Sequence, residues 1–145
     1  MFLTRKAEFS ASHVCRIPTL SDDENRDLFE EGANPHGHGH NFVVEVTVEG
    51  EPDRATGMVI DLKDLKSIIE EEVVVPMDHR FLNHEVSPFD RVIPTAENVA
   101  LEIWKRLDRR LSASNPALSK VRLFETADLY VDVTRGDFKR TGHQL

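Results

Sequence analysis

From Leu3 to Cys15 the chain alternates with a period of two. Leu3, Ala7, Phe9, Ala11, His13 and Cys15 share one parity, and Thr4, Lys6, Glu8, Ser10 and Ser12 share the other. Successive side chains of a strand point to opposite faces, so the pattern predicts a strand with one apolar face. Arg5 is the misfit on that face. Phe42 to Glu49 repeats the pattern, with Val44, Val46 and Val48 alternating with Glu45, Thr47 and Glu49. Two half-buried strands this early demand a sheet with a packed layer on one side.

The rest of the chain supplies that layer. Asp61 is a good N-cap for a helix carrying Leu62, Leu65, Ile68 and Ile69 on one face, ended at Pro76. Thr95 caps a second helix, where Ala96, Val99, Ala100, Ile103, Leu107 and Leu111 keep helical spacing up to the break at Asn115-Pro116. Val121 to Thr126 and Leu129 to Thr134 read as a closing strand pair, with Ala127-Asp128 as a hairpin turn. Residues 16 to 40 and 76 to 94 read as long connections, the first with an acidic run, Ser21 to Glu24, able to cap one helical turn. The order strand, strand, helix, helix, strand, strand predicts an α+β domain: a four-stranded antiparallel sheet with two helices on one face. Its two open edges invite self-association. Residues 1–136 form one expected domain, and 137–145 a polar tail expected to fray.

The length, 145 residues, matches one domain of roughly 150. Acidic residues outnumber basic ones, 26 to 18, for a formal charge of -8. That balance speaks against nucleic acid or an anionic membrane as the main partner. The one cysteine excludes an internal disulfide. Arg5, Lys6 and Glu8 argue against a signal peptide, and no apolar run approaches the ~20 residues of a membrane span. The expectation is a soluble, cytoplasmic domain.

Four of the seven histidines fall within residues 13 to 40. Asn34-Pro35-His36-Gly37-His38-Gly39-His40 leads into the second strand. Residues two apart on a strand share a side, so His38 and His40 can face one metal ion, with Gly37 and Gly39 allowing close backbone approach. His13, on the apolar face of the neighbouring strand, is the candidate third ligand. Three neutral imidazoles with an open position suit a catalytic zinc site. His36 shares the parity and stays open as ligand, outer partner or bystander.

Glu125 is the other anomaly, a carboxylate on the apolar parity of Val121 and Leu123. Burial there is costly without donors. A structural salt bridge or an anchor for a ligand's paired N–H groups would satisfy it. Asp78-His79 reads as an acid/base pair or as a turn aspartate beside an exposed histidine. Glu97, in the first turn of its helix, is explained by the helix dipole alone.

Together these pieces resemble the 6-pyruvoyl-tetrahydropterin synthase family, which includes the 6-carboxy-tetrahydropterin synthases. The resembling stretches are Phe9-Ser10-Ala11-Ser12-His13, Asn34-Pro35 with Gly37 to Phe42, and Thr56 to Leu62. Met77-Asp78-His79 with Leu82, Pro94 to Ala100, and Phe124-Glu125-Thr126 follow in order. The resemblance implies the tunnelling fold, with sheets joined edge to edge in a trimer and two trimers stacked as a homohexamer. It implies Zn2+ on His13, His38 and His40, pterin contacts from Thr95, Glu97 and Glu125, and an acid/base role for Asp78 and His79. Active sites between subunits are implied too. The implied activity is that of a carbon-oxygen lyase releasing triphosphate from 7,8-dihydroneopterin triphosphate, within tetrahydrobiopterin biosynthesis.

The chain departs from the family at its catalytic cysteine. That residue precedes the His-Gly-His pair by six positions in the longer family pattern, which is Gly32 here, and by four in the shorter, which is Asn34. Neither side chain can act as a base. Three alternatives are open. Glu31 or Glu30 can supply the base, as in family members that cleave the side chain to 6-hydroxymethyl-7,8-dihydropterin. Cys15, two residues beyond His13 on the same parity, can substitute. Otherwise the protein is a non-catalytic metal- and pterin-binding hexamer. A 6-carboxy product is a further alternative, although Asn34-Pro35 and Gly37 to Phe42 sit closer to the pyruvoyl branch.

Overall fold

In a computed structural model, residues 1–111 and 115–141 are described. Strand β1 spans Phe2–His13 and β2 spans His38–Glu49, paired antiparallel along their whole length. Strands β4 (Ala117–Thr126) and β5 (Leu129–Thr134) form the expected hairpin. A two-residue strand β3, Arg80–Phe81, adds to β1 in parallel, so the sheet has five strands ordered β3-β1-β2-β4-β5. Each neighbouring pair of long strands is antiparallel, as the grouping of strands and helices implied.

One face of the sheet carries the core. Phe9 and Ala11 of β1, Phe42, Val44, Val46 and Val48 of β2, and Val121 and Leu123 of β4 are buried there. Helix α5 (Ala96–Arg110) packs on it through Val99, Ala100, Ile103, Trp104 and Leu107. Thr95 caps it as expected, its hydroxyl accepting from the Asn98 N–H.

Helix α2 (Leu62–Ile69) starts at the Asp61 cap and runs through a π turn, Glu70–Val74, into the short turn α3, Val75–Met77. Its buried face is Leu65, Ile69, Val73 and Met77, a spacing of four throughout. An α-helix turns in 3.6 residues, so that stripe drifts around the axis, and the wider π turn brings Val73 and Met77 back over the sheet. Leu62, expected on the buried face, is half exposed.

Both long connections hold more structure than expected. The first contains helix α1, Asp22–Phe29, and a 3₁₀ turn, Glu30–Ala33. Ser21 and Glu24 form a reciprocal capping box, and buried Asn25 bonds the backbone of Ile17. The second contains β3 and the short helix α4, Leu82–Glu85. The expected fraying tail begins as helix α6, Arg135–Arg140, capped by Thr134 and Asp137; residues 142–145 of that tail lie outside the described residues. Among the described residues no helix is long and apolar enough to cross a membrane.

Gly37 closes the turn into β2 at φ +77°, and a Cβ there would lie 2.7 Å from the Phe81 ring. The left-handed conformation and the overlap both oppose a side chain. Gly37→Ala is expected to destabilise the protein by about 2–4 kcal/mol, read from the urea unfolding midpoint.

Candidate metal centre

The register of β1 and β2 builds the centre. His38 lies opposite His13, and His40 opposite Ala11. All three imidazoles share the helix-facing side of the sheet, just beyond the stacked pair Phe9–Phe42. One ring nitrogen from each lies within 4.8 Å of the others. The His13 and His38 Nε2 atoms are 3.0 Å apart. Two nitrogens on one tetrahedral zinc lie about 3.3 Å apart, so the spacing suits a shared cation.

The surroundings prepare those nitrogens. His13 Nδ1 lies 2.7 Å from the Pro94 carbonyl. A carbonyl only accepts, so Nδ1 carries the proton and Nε2 presents its lone pair to the cluster. Pro94 directly precedes the Thr95 cap, so one turn both starts α5 and orients His13. His38 Nδ1 and His40 Nε2 are buried without hydrogen-bond partners. Burial pulls the His13 pKa down to about 4, with His38 and His40 adding to the fall and the Pro94 bond opposing it. Burial also lowers that of His40, against the pull of Glu125. Converging imidazoles with orphaned nitrogens fit a borderline-soft dication such as zinc.

The same burial makes the metal-free protein acid-sensitive. His13 ionises near 6.5 when unfolded and near 4 when folded. Between those values the unfolded chain binds the proton and the folded chain does not, so stability falls as pH drops. The loss by pH 4 is on the order of 3 kcal/mol, measurable by urea unfolding of chelator-treated protein at pH 7 and pH 4.5.

His13 and His38 open into a cavity of about 290 Å³. Thr95 and Glu97 line it from the start of α5, Cys15 and Gly32 from the first connection, and Glu125, Leu129 and Val131 from the hairpin. Glu125 keeps the parity of Val121 and Leu123, beside the shift in the β4–β5 register between Phe124 and Thr126. Its Oε1 lies 3.5 Å from His40 Nε2. Cys15 is buried, and its N–H donates to the Gly32 carbonyl. Burial, and then the charges of Glu125 and Glu97, push its thiol up to about 11. A Cβ on residue 32 would lie 3.8 Å from the Cys15 Cβ and 3.9 Å from His38 Cε1, ordinary contact distances. Position 32 therefore faces a candidate ligand, with Cys15 and Phe29 as equally near side-chain neighbours.

Four candidates lie outside that cavity in the single chain. Glu31 is exposed in a separate groove with Arg16, Asp22 and Arg26. His36 is exposed beside Asn34 and is not part of the cluster. Asp78 and His79 do pair, Oδ2 to Nδ1 at 2.8 Å, at the open edge of β1. The Ser10 N–H donates to Asp78 Oδ1, and the His79 N–H to the Ser10 carbonyl. The Ser10 N–H and then His79 hold the Asp78 carboxyl below its usual range. His79 lines a groove with Ser10, Ser12, Asn41 and the ligand candidate His40, and not the cavity into which His13 and His38 open. The part played by the Pro94 carbonyl and the walls Phe29, Leu129 and Val131 carry no signal in the sequence, although Pro94 opens the stretch Pro94 to Ala100 and precedes the Thr95 cap.

The family model described as 6-pyruvoyl tetrahydropterin synthase matches residues 2–136. The chain is 47% identical over 135 residues to the 6-pyruvoyl tetrahydrobiopterin synthase of Pongo abelii, covering 93% of this chain and 91% of that protein. It is 46% identical over 135 residues to the Homo sapiens protein of the same name, with the same two shares. The structure of Caenorhabditis elegans 6-pyruvoyl tetrahydropterin synthase superposes with a TM-score of 0.86 at 36% identity, covering 92% of this chain and 94% of that one.

Proposed function

Since the chain belongs to the 6-pyruvoyl tetrahydropterin synthase family, we propose that it is a zinc-dependent lyase that releases triphosphate from 7,8-dihydroneopterin triphosphate. The convergence of His13, His38 and His40 beside a carboxylate-lined cavity carries this reading. A bound zinc ion supplies Lewis acidity that makes C–H and O–H groups of the substrate side chain easier to deprotonate. The three imidazoles hold that ion. Glu125, which lines the cavity, accepts the paired N–H groups of the pterin ring. Thr95 and Glu97 bound the same ring from the α5 side.

Proton transfer needs two further groups. His79, oriented by Asp78, exchanges protons from the edge of a neighbouring copy in a homohexamer of two stacked trimers. The edge of β1 ahead of Ser10, which β3 does not cover, and the edge of β5 support that assembly. Gly32 has no side chain to act as a base. Of the two substitutes, Cys15 lines the histidine cavity and Glu31 opens on another groove, so Cys15 is the better placed, although its raised thiol pKa would have to be drawn down by a neighbouring cation before it could take a proton. The reaction is placed in the cytoplasm.

Incubation of zinc-loaded protein with 7,8-dihydroneopterin triphosphate, followed by chromatography, tests this. A pyruvoyl product with free triphosphate is expected. Cys15→Ala should lower turnover about 100-fold or more, and Glu31→Gln should leave it within about twofold. A 6-hydroxymethyl product lost in Glu31→Gln would move the chemistry to side-chain cleavage. Tight pterin binding without turnover would leave a binding hexamer and overturn both enzyme readings.

A further inference from the structure

The sheet face away from the helices carries a row of alternating charge. Lys6 of β1 lies opposite Glu45 of β2, Glu45 opposite Arg122 of β4, and Arg122 opposite Asp132 of β5. Lys6 Nζ is 3.7 Å from Glu45, and Arg122 grips Asp132 through two bonds of 2.7 and 2.8 Å. The row starts with a cation on one open edge and ends with an anion on the other. Neither end residue has a further strand beside it among the described residues.

The backbone along that row is set for pairing. The Ser10 N–H and carbonyl point away from β2, towards Asp78 and His79. Amide direction alternates along a strand, so Thr4, Lys6 and Glu8 also point outward. Lys6 and Glu45 are then a pair without mutual hydrogen bonds, Glu45 and Arg122 a bonded pair, and Asp132 directs its amide groups to the open side of β5. The two edges also run in opposite directions, so one copy's β5 can continue another's β1 in the same antiparallel pattern. Exposed Phe2, Leu129 and Tyr130 flank these edges.

We propose that Lys6 sets the register of this contact by lying opposite Asp132 of a second copy. The proposal rests on the edge-to-edge association put forward above and names the residues that fix it. In this register Glu8 faces Tyr130 and Thr4 faces Thr134. Ala7 and Phe9 face Val131 and Leu129 on the helix side. A one-residue slip would put apolar chains on the polar face. A two-residue slip would put Asp132 opposite Glu8, a repulsive pair, or opposite uncharged Thr4.

Register matters for the site because Leu129 and Val131 wall the histidine cavity. With Leu129 opposite Phe9 of the neighbour, the cavity mouth lies beside Ser10, which holds Asp78 and His79. A two-residue slip would displace that pair by about 7 Å. Lys6 is therefore a positioning residue for an acid/base pair that it does not touch.

Disulfide trapping in the full chain reads the register directly. A Glu8→Cys, Tyr130→Cys double variant keeps Lys6 and Asp132 and should cross-link between chains on mild oxidation. A Thr4→Cys, Tyr130→Cys control, four residues out of register, should not. Adding Lys6→Ala to the first variant should lower the cross-link yield at least fivefold, and adding Lys6→Arg should preserve it. Lys6→Ala alone should lower kcat with bound zinc unchanged. Equal cross-linking of both pairs, or a yield indifferent to Lys6→Ala, would overturn the register while leaving the association standing. Native mass spectrometry of the unaltered chain separates the two failures, since a monomer alone would overturn the association itself.

Discussion

Replacing His38 by alanine should cut zinc affinity by more than about 100-fold and abolish measurable turnover at stoichiometric zinc. Even partners one shell out from a metal are worth 10–100-fold, so a direct ligand should exceed that. His38 is the informative choice among the three. Its Nδ1 makes no hydrogen bond and its Nε2 meets only His13 Nε2, so truncation frees no backbone group. His13, by contrast, is 1% exposed and bonded to the Pro94 carbonyl, and its loss would confuse ligation with folding. The variant should keep the far-ultraviolet spectrum of the parent. Retained zinc affinity, measured by competition with a chromophoric chelator, would remove the cluster from the account.

Replacing His79 by asparagine should lower kcat by about 10²–10⁴-fold while zinc content stays the same. His79 sits at φ +58°, a conformation asparagine tolerates better than most residues, so the backbone should hold. Its side chain is 84% exposed in the single chain and contributes little to packing. A proton-transfer role predicts loss of rate without loss of metal or of assembly. Unchanged kcat in an intact oligomer would reduce the Asp78–His79 pair to a turn.

The long strands and the metal cluster were legible because both rest on a period of two. The alternation that buried Phe9, Phe42 and Val44 also put His13, His38 and His40 on one side. Glu125 stood out for the same reason. Elements without a period were lost. Strand β3 has two residues, too few for alternation. Helix α1 buries Asn25 rather than an apolar stripe, so the acidic run suggested only one turn although Ser21 and Glu24 already spelled a capping box. In α2, Leu62 keeps the helical spacing of the apolar face but stands at the first position of the helix, where it is half exposed. The separation of Asp78–His79 from the histidine cavity was not legible at all. Spacing along one chain does not distinguish residues that meet within it from residues that meet across an interface.

Triphosphate release measured against bound zinc, from chelator-stripped protein to one equivalent per chain, tests the central claim most directly. Release from 7,8-dihydroneopterin triphosphate should start near zero, rise in proportion to zinc and level off at one ion per chain. Release that is complete without metal, or absent at full occupancy, would contradict it.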